Sequence, residues 1–156
     1  MKEFFHIGLI VLCIFSASAY AEVVEQLRPS DRWAAGYAHK AVEQHKESQE
    51  LHCGFKEDRW HHDFYSHQAW ALRSGKQQAR SENLIREDLL EKCKQARAYL
   101  AKAMEQVNQN VQRSCGYTGP EWNQVEDVQF DWAMLHDQAE METKIRERKK
   151  ALATCK

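Results

Sequence analysis

Beyond residue 30 the chain alternates apolar and polar positions with the period of an α-helix almost throughout. The clearest stretch begins near Ser81. Its apolar positions Ile85, Leu89, Cys93, Ala96, Leu100, Ala103, Val107 and Val111 step by three and four. That spacing predicts one long amphipathic helix ending at Cys115-Gly116. Ahead of it, Ser30 can cap a first helix running to about His52, with Gly54 as the stop. A second helix is expected from about Asp58 to Arg73, ended by Ser74-Gly75. After the long helix, Thr118-Gly119-Pro120-Glu121 has the form of a capping box for a fourth. Pattern alone lets that helix run to Cys155.

An internal repeat divides it. At an offset of sixty-two positions Cys53-Gly54-Phe55 falls on Cys115-Gly116-Tyr117, Trp60 on Trp122, and Trp70-Ala71-Leu72 on Trp132-Ala133-Met134. Tyr37, Arg86, Leu90 and Cys93 fall on Tyr99, Arg148, Leu152 and Cys155. Cysteine and tryptophan are scarce, so their coincidence at one offset marks a duplicated unit. Gly75 corresponds to Asp137. A break is therefore expected near His136-Asp137, with a fifth helix from about Glu140 to Thr154. The expected fold is all-α: about five helices in two three-helix repeats, residues 31–93 and 93–155, sharing the central helix. No linker separates them, so residues 22–156 read as a single helical domain.

The amino terminus follows different rules. Met1-Lys2 leads into the apolar run from Phe4 to Phe15 and then Ser16-Ala17-Ser18-Ala19-Tyr20-Ala21. This is the form of a signal peptide over residues 1–21, too short for a membrane span of roughly 20 apolar residues. The expected location is periplasmic or secreted, with no membrane insertion after cleavage. The net charge of −1 offers no electrostatic footprint for nucleic acid.

Beyond the leader four cysteines remain: Cys53, Cys93, Cys115 and Cys155. An even count in an exported chain implies two disulfides, and no Cys-x-x-Cys pair suggests zinc or redox chemistry. Cys93 and Cys115 lie on one helix, about 33 Å apart at about 1.5 Å per residue. A disulfide between them is excluded if that helix is continuous. Cys53 to Cys93 and Cys115 to Cys155 each enclose a helix that turns midway and returns, so these are the expected pairs.

The repeated motif resembles a group of small exported bacterial proteins. Their signature is C-G-F-x-G-x-R-W, then H-x-x-W-C, then E-x3-R-x3-L-x2-C, preceded by C-x-x-Y-A-x-x-A-V-x-Q. The first repeat matches at Tyr37-Ala38, Ala41-Val42, Gln44, Cys53-Gly54-Phe55, Arg59-Trp60, His67, Trp70, Glu82, Arg86, Leu90 and Cys93. The second matches at Tyr99, Ala103, Gln106, Cys115-Gly116-Tyr117, Gly119, Trp122, Trp132, Arg148, Leu152 and Cys155. The signature's other cysteines fall here on Ala34 and Ala71, and on Ala96 and Ala133. Loss of both members of each pair implies that they bond one another. The resemblance thereby leaves Cys53 to Cys93, and implies no activity.

Candidate chemistry is sparse. The densest cluster is Trp60-His61-His62-Asp63-Phe64-Tyr65-Ser66-His67. Asp63 and His67 would stand one helical turn apart, a usable spacing for two metal ligands. The candidate metal set is His62, Asp63 and His67, with a further ligand available from His39, His45 or His52. The second repeat has Asn123, Gln124, Val125 and Gln129 at the matching places, so such a site is not duplicated. Trp60, Trp70, Trp122 and Trp132 read as packing residues rather than a ligand groove. Arg86 and Arg148 read as guanidinium groups stacked on Trp or tied to helix-end carbonyls. The basic end Lys144 to Lys150 reads as a solvated helix face.

No catalytic residue or cofactor is expected. Ser66 and Ser81 lack a nucleophile elbow, and Asp58, Asp63, Glu126, Asp127, Asp131 and Glu140 form no identifiable acid–base pair. The functional expectation is a non-enzymatic protein that binds a protein partner in the cell envelope, inhibitor-like or immunity-like. The alternative is a periplasmic metal-binding protein using the His/Asp cluster.

Overall fold

The computed structural model of the protein describes residues 28–56 and 58–155. The leader read over residues 1–21 lies outside them. The described chain is all-α, with helices α1 (Arg32–Glu50), α2 (Phe64–Ser74), α3 (Lys76–Gln112), α4 (Glu126–Leu135) and α5 (Gln138–Thr154). Short 3₁₀ turns at Pro29–Asp31 and Pro120–Trp122 precede α1 and α4. Among the described residues no helix is long and apolar enough to cross a membrane.

The stripe on α3 folds as its period demands. Leu90, Cys93, Ala96, Leu100, Ala103 and Val107 are buried, and the helix runs about 55 Å at about 1.5 Å per residue. Its first half packs against α1 and α2, its second half against α4 and α5. The largest buried cluster joins Cys53, Trp60 and Leu90 of the first repeat to Tyr99, Phe130 and Met141 of the second. Arg97 reinforces the joint. Its guanidinium lies 4.0 Å over the Phe130 ring, while Nε donates to the Leu51 carbonyl at 2.9 Å.

The two disulfides are Cys53–Cys93 and Cys115–Cys155, with Cα separations of 5.8 and 5.5 Å. Helix ends deliver the first cysteine of each. At the end of α1, His52 adopts φ 54° and donates to Gln49, while Cys53 donates to Ser48. At the end of α3, Ser114 adopts φ 55° and donates to Val111, while Cys115 donates to Asn110. Each is a Schellman cap with a non-glycine residue in the left-handed position. The repeat is thus reproduced at single hydrogen bonds. Gln44 donates to the Asn83 carbonyl and Gln106 to the Ile145 carbonyl, both pairs sixty-two apart. Ala34 and Ala71 share one buried cluster, and Ala96 and Ala133 another, all fully buried.

Three helix starts differ from expectation. The second helix begins at Phe64, not Asp58, because the Asp63 carboxylate caps it by accepting from the Tyr65 and Ser66 amides. The long helix begins at Lys76, one residue after α2, because Gly75 at φ 88° makes the turn alone. Thr118 and Glu121 form no capping box. Gly119 at φ 116° leads into the 3₁₀ turn, and α4 starts only at Glu126. A capping box stands instead at the expected break, where Asp137 and Glu140 exchange backbone bonds to open α5.

Candidate functional site

Each repeat carries a cleft, and the two clefts are copies. The first, about 500 Å³, is lined by Tyr37, Arg59, His61, His67, Trp70 and Glu82, together with Asp58, Ser66 and Arg73. The second, about 210 Å³, is lined by Tyr99, Glu121, Gln129, Trp132, Lys144 and Arg148, with Pro120 and Val128. Tyr37, Asp58, Arg59, Ser66, His67, Trp70 and Glu82 all have their repeat partners in the second lining.

Behind the lining of the first cleft lies a buried charge in contact with Glu82. Arg86 on α3 has no exposed surface. Its guanidinium lies 4.8 Å over the Trp60 ring, and Nη1 donates to the Ala41 carbonyl at 3.4 Å. Glu82, one turn earlier, places Oε1 3.4 Å from Arg86 Nε and 3.6 Å from Arg59 Nη1. Burial pulls the Arg86 pKa down, and Tyr37 and Glu82 beside it hold it up. The Tyr37 phenol is raised by burial and stays neutral at pH 7. Stacking on Trp60 is what the sequence leads one to expect of Arg86; the Glu82 partnership is not. An Arg four residues after a Glu was legible as an i, i+4 pair, but its burial was not. Arg148 departs further, since it is buried within what reads as a solvated basic face.

His67 forms one wall and is itself buried, only 3% exposed. Its ring stacks on His61 at 3.9 Å, and Nε2 meets the His61 carbonyl at 3.0 Å, so Nε2 carries the proton. Burial pulls its pKa down to about 4, and the charges of His61 and Arg86 act in the same direction. In the second repeat Gln129 Nε2 donates to the Asn123 carbonyl at 3.1 Å, the same bond made by an amide. Histidine and glutamine thus make the same backbone bond at equivalent places.

The expected metal set is not brought together. Asp63 is occupied as the cap of α2 and also accepts from the Ser66 hydroxyl, which holds its pKa below the usual carboxylate range. His62 is exposed, and His67 faces His61 rather than Asp63. His45, buried on α1, has its pKa lowered by burial and then by the proximity of His62 and His61. Among the described residues no three His, Cys, Asp or Glu side chains are placed to hold one metal ion.

The tryptophans divide their duties. Trp60 and Trp122 are buried against Phe55 and Tyr117, at 4.5 and 5.1 Å between ring centroids. Trp70 and Trp132 are half-buried in the clefts, each 5.2 Å from Tyr37 or Tyr99. None of the family models, curated proteins or solved structures compared with the chain matches it.

Proposed function

We propose that the protein is an exported, non-enzymatic binding module of the cell envelope that engages a protein partner at the first cleft, as an inhibitor or immunity factor does. The observation that carries this reading is a cleft of about 500 Å³ whose polar groups are fixed before any partner arrives. His67 is locked to the His61 carbonyl, and Glu82 is held between Arg86 and Arg59. The Ser66 hydroxyl is committed to the Asp63 carboxylate. A wall ordered in advance loses little freedom on binding, which suits recognition of a set shape. Tyr65, 66% exposed and next to the cleft residue Ser66, supplies the aromatic contact that interfaces favour. Two disulfides support an oxidising compartment, periplasmic or extracellular.

The test is photocrosslinking in living cells with p-benzoylphenylalanine at Tyr65. The expected result is one discrete protein adduct, lost when Arg73 in the cleft is changed to Glu. Absence of any adduct, or the same adduct from the exposed control position Leu135, rejects the reading.

A further inference from the structure

The duplicated cleft is electrically unfinished in its second copy. In the first repeat the buried Arg86 has the carboxylate of Glu82 one helical turn earlier. In the second, Arg148 is equally buried at 2% exposure, but the residue one turn earlier is Lys144. Arg148 Nη2 donates to the Tyr99 hydroxyl at 2.7 Å and to Gln129 Oε1 at 2.9 Å. Both acceptors are neutral, since burial raises the Tyr99 pKa. In the first copy Arg86 Nε and Nη2 likewise lack a hydrogen bond, but Glu82 Oε1 stands 3.4 Å from Nε. Among the described residues Arg148 Nε and Nη1 have neither a hydrogen-bond partner nor a paired carboxylate.

Gln129 cannot rearrange to serve them. Its Nε2 is spread over the carbonyls of Pro120, Glu121 and Asn123, so only Oε1 is left to face the guanidinium. Arg148 and Lys144 line the same cleft, with Val128, Pro120 and Trp132 forming apolar wall. Lys144 also pairs with Glu147 on the surface at 3.2 Å. Glu121 is the one carboxylate in the lining, and its carboxyl group lies beside Gly119. A buried guanidinium with only neutral acceptors is a costly arrangement unless an anion completes it.

We propose that the second cleft binds a small organic acid with a compact apolar body. The carboxylate pairs with the Arg148 guanidinium and accepts from the Lys144 ammonium, and the body lies against Val128 and Trp132. The same carboxylate chemistry exists on acidic side chains, but a cleft of about 210 Å³ suits a small free acid.

Calorimetric titration of the oxidised protein with benzoate tests this, with benzamide as the neutral isostere and acetyl-Ala-Glu-Ala-amide as the side-chain source. Benzoate is expected to saturate one site, with benzamide weaker by at least about tenfold, because hydrogen bonds to a charged group are lost. Lys144→Glu rebuilds the Glu82–Arg86 arrangement in the second repeat. The variant lies on a half-exposed position that tolerates charge, should raise Tm, and should weaken benzoate by at least about tenfold. In the wild-type protein the Arg148 Nε–H NMR resonance should move with benzoate and not with benzamide. Unsaturable benzoate binding, equal affinity for benzamide, an undiminished affinity in Lys144→Glu or tighter binding of the peptide would each overturn the assignment.

Discussion

One histidine shows how a single buried side chain can set the acid tolerance of this fold. A histidine in the unfolded chain titrates near 6.5, whereas folded His67 is pulled down to about 4. Between those values the unfolded chain binds a proton that the folded one refuses. Stability is therefore full above about pH 6.5 and falls as pH drops toward 4, by roughly 3 kcal/mol across the window. His45 is lowered as well and acts in the same sense. Replacing His67 by Gln installs the side chain that Gln129 already uses at the equivalent wall position. Urea unfolding at pH 7 and at pH 4.5 should show a clearly smaller loss of stability in His67→Gln than in wild type, with a remainder due to His45. An unchanged loss would mean that His67 is not the group being protonated. None of this was visible in one dimension, where His67 reads as a polar residue one turn from Asp63. What burial and the His61 ring do to it depends on how α1, α2 and α3 close around it.

The helices themselves were more legible than their beginnings. The period of α3 and the repeat offset together placed five helices, and the equivalence of Gly75 with Asp137 located the break before α5. The start of α2 was obscured because Asp58-Arg59-Trp60 has a helical composition yet forms turns that carry Trp60 into the core. The S/T-x-x-E pattern at Thr118 misled for a similar reason. Gly119 at φ 116° cannot occupy a helical first turn, and the motif is silent about backbone angle. Helix ends offer a sharper prediction. His52 and Ser114 sit in the left-handed region, where a side chain costs about 1 kcal/mol that glycine avoids. Ser114→Gly and His52→Gly should each raise stability by about 1 kcal/mol in urea denaturation. The cap bonds of Cys53 and Cys115 should keep their protection from hydrogen exchange. A loss of stability in either variant would show that the side chain makes a contact worth more than the strain it carries.

At the scale of the molecule the two repeats behave as one body because their cores meet across α3. Cys53, Trp60 and Leu90 share a cluster with Tyr99, Phe130 and Met141, and Arg97 ties the end of α1 to the ring of Phe130. Tryptophan fluorescence and helical circular dichroism should therefore report a single coincident unfolding transition in the oxidised protein. Each disulfide closes a loop of the same length, with a sequence separation of 40. Removing either pair by double Cys→Ala replacement should cost about 4 kcal/mol in the chain-entropy account. The pairing itself was readable, because a straight helix between Cys93 and Cys115 forbids one of the two alternatives and a chain that doubles back in each repeat favours the observed pairs over the other. The clefts were not, since they depend on which face of α2 and α4 turns toward α3, and on the burial of Arg86 and Arg148.

The two disulfides also decide how the protein carries a mechanical load. Tension applied across the described chain runs along α1 to Cys53, crosses to Cys93, follows the second half of α3 to Cys115 and crosses to Cys155. The segments 54–92 and 116–154 hang from that line as closed slack, each about 140 Å of extended chain that force cannot draw out while the bonds hold. Every residue lining the first cleft except Tyr37, and every residue lining the second except Tyr99, belongs to those sheltered segments. A stretched molecule thus keeps the lining of both clefts off the loaded line, Tyr37 and Tyr99 excepted.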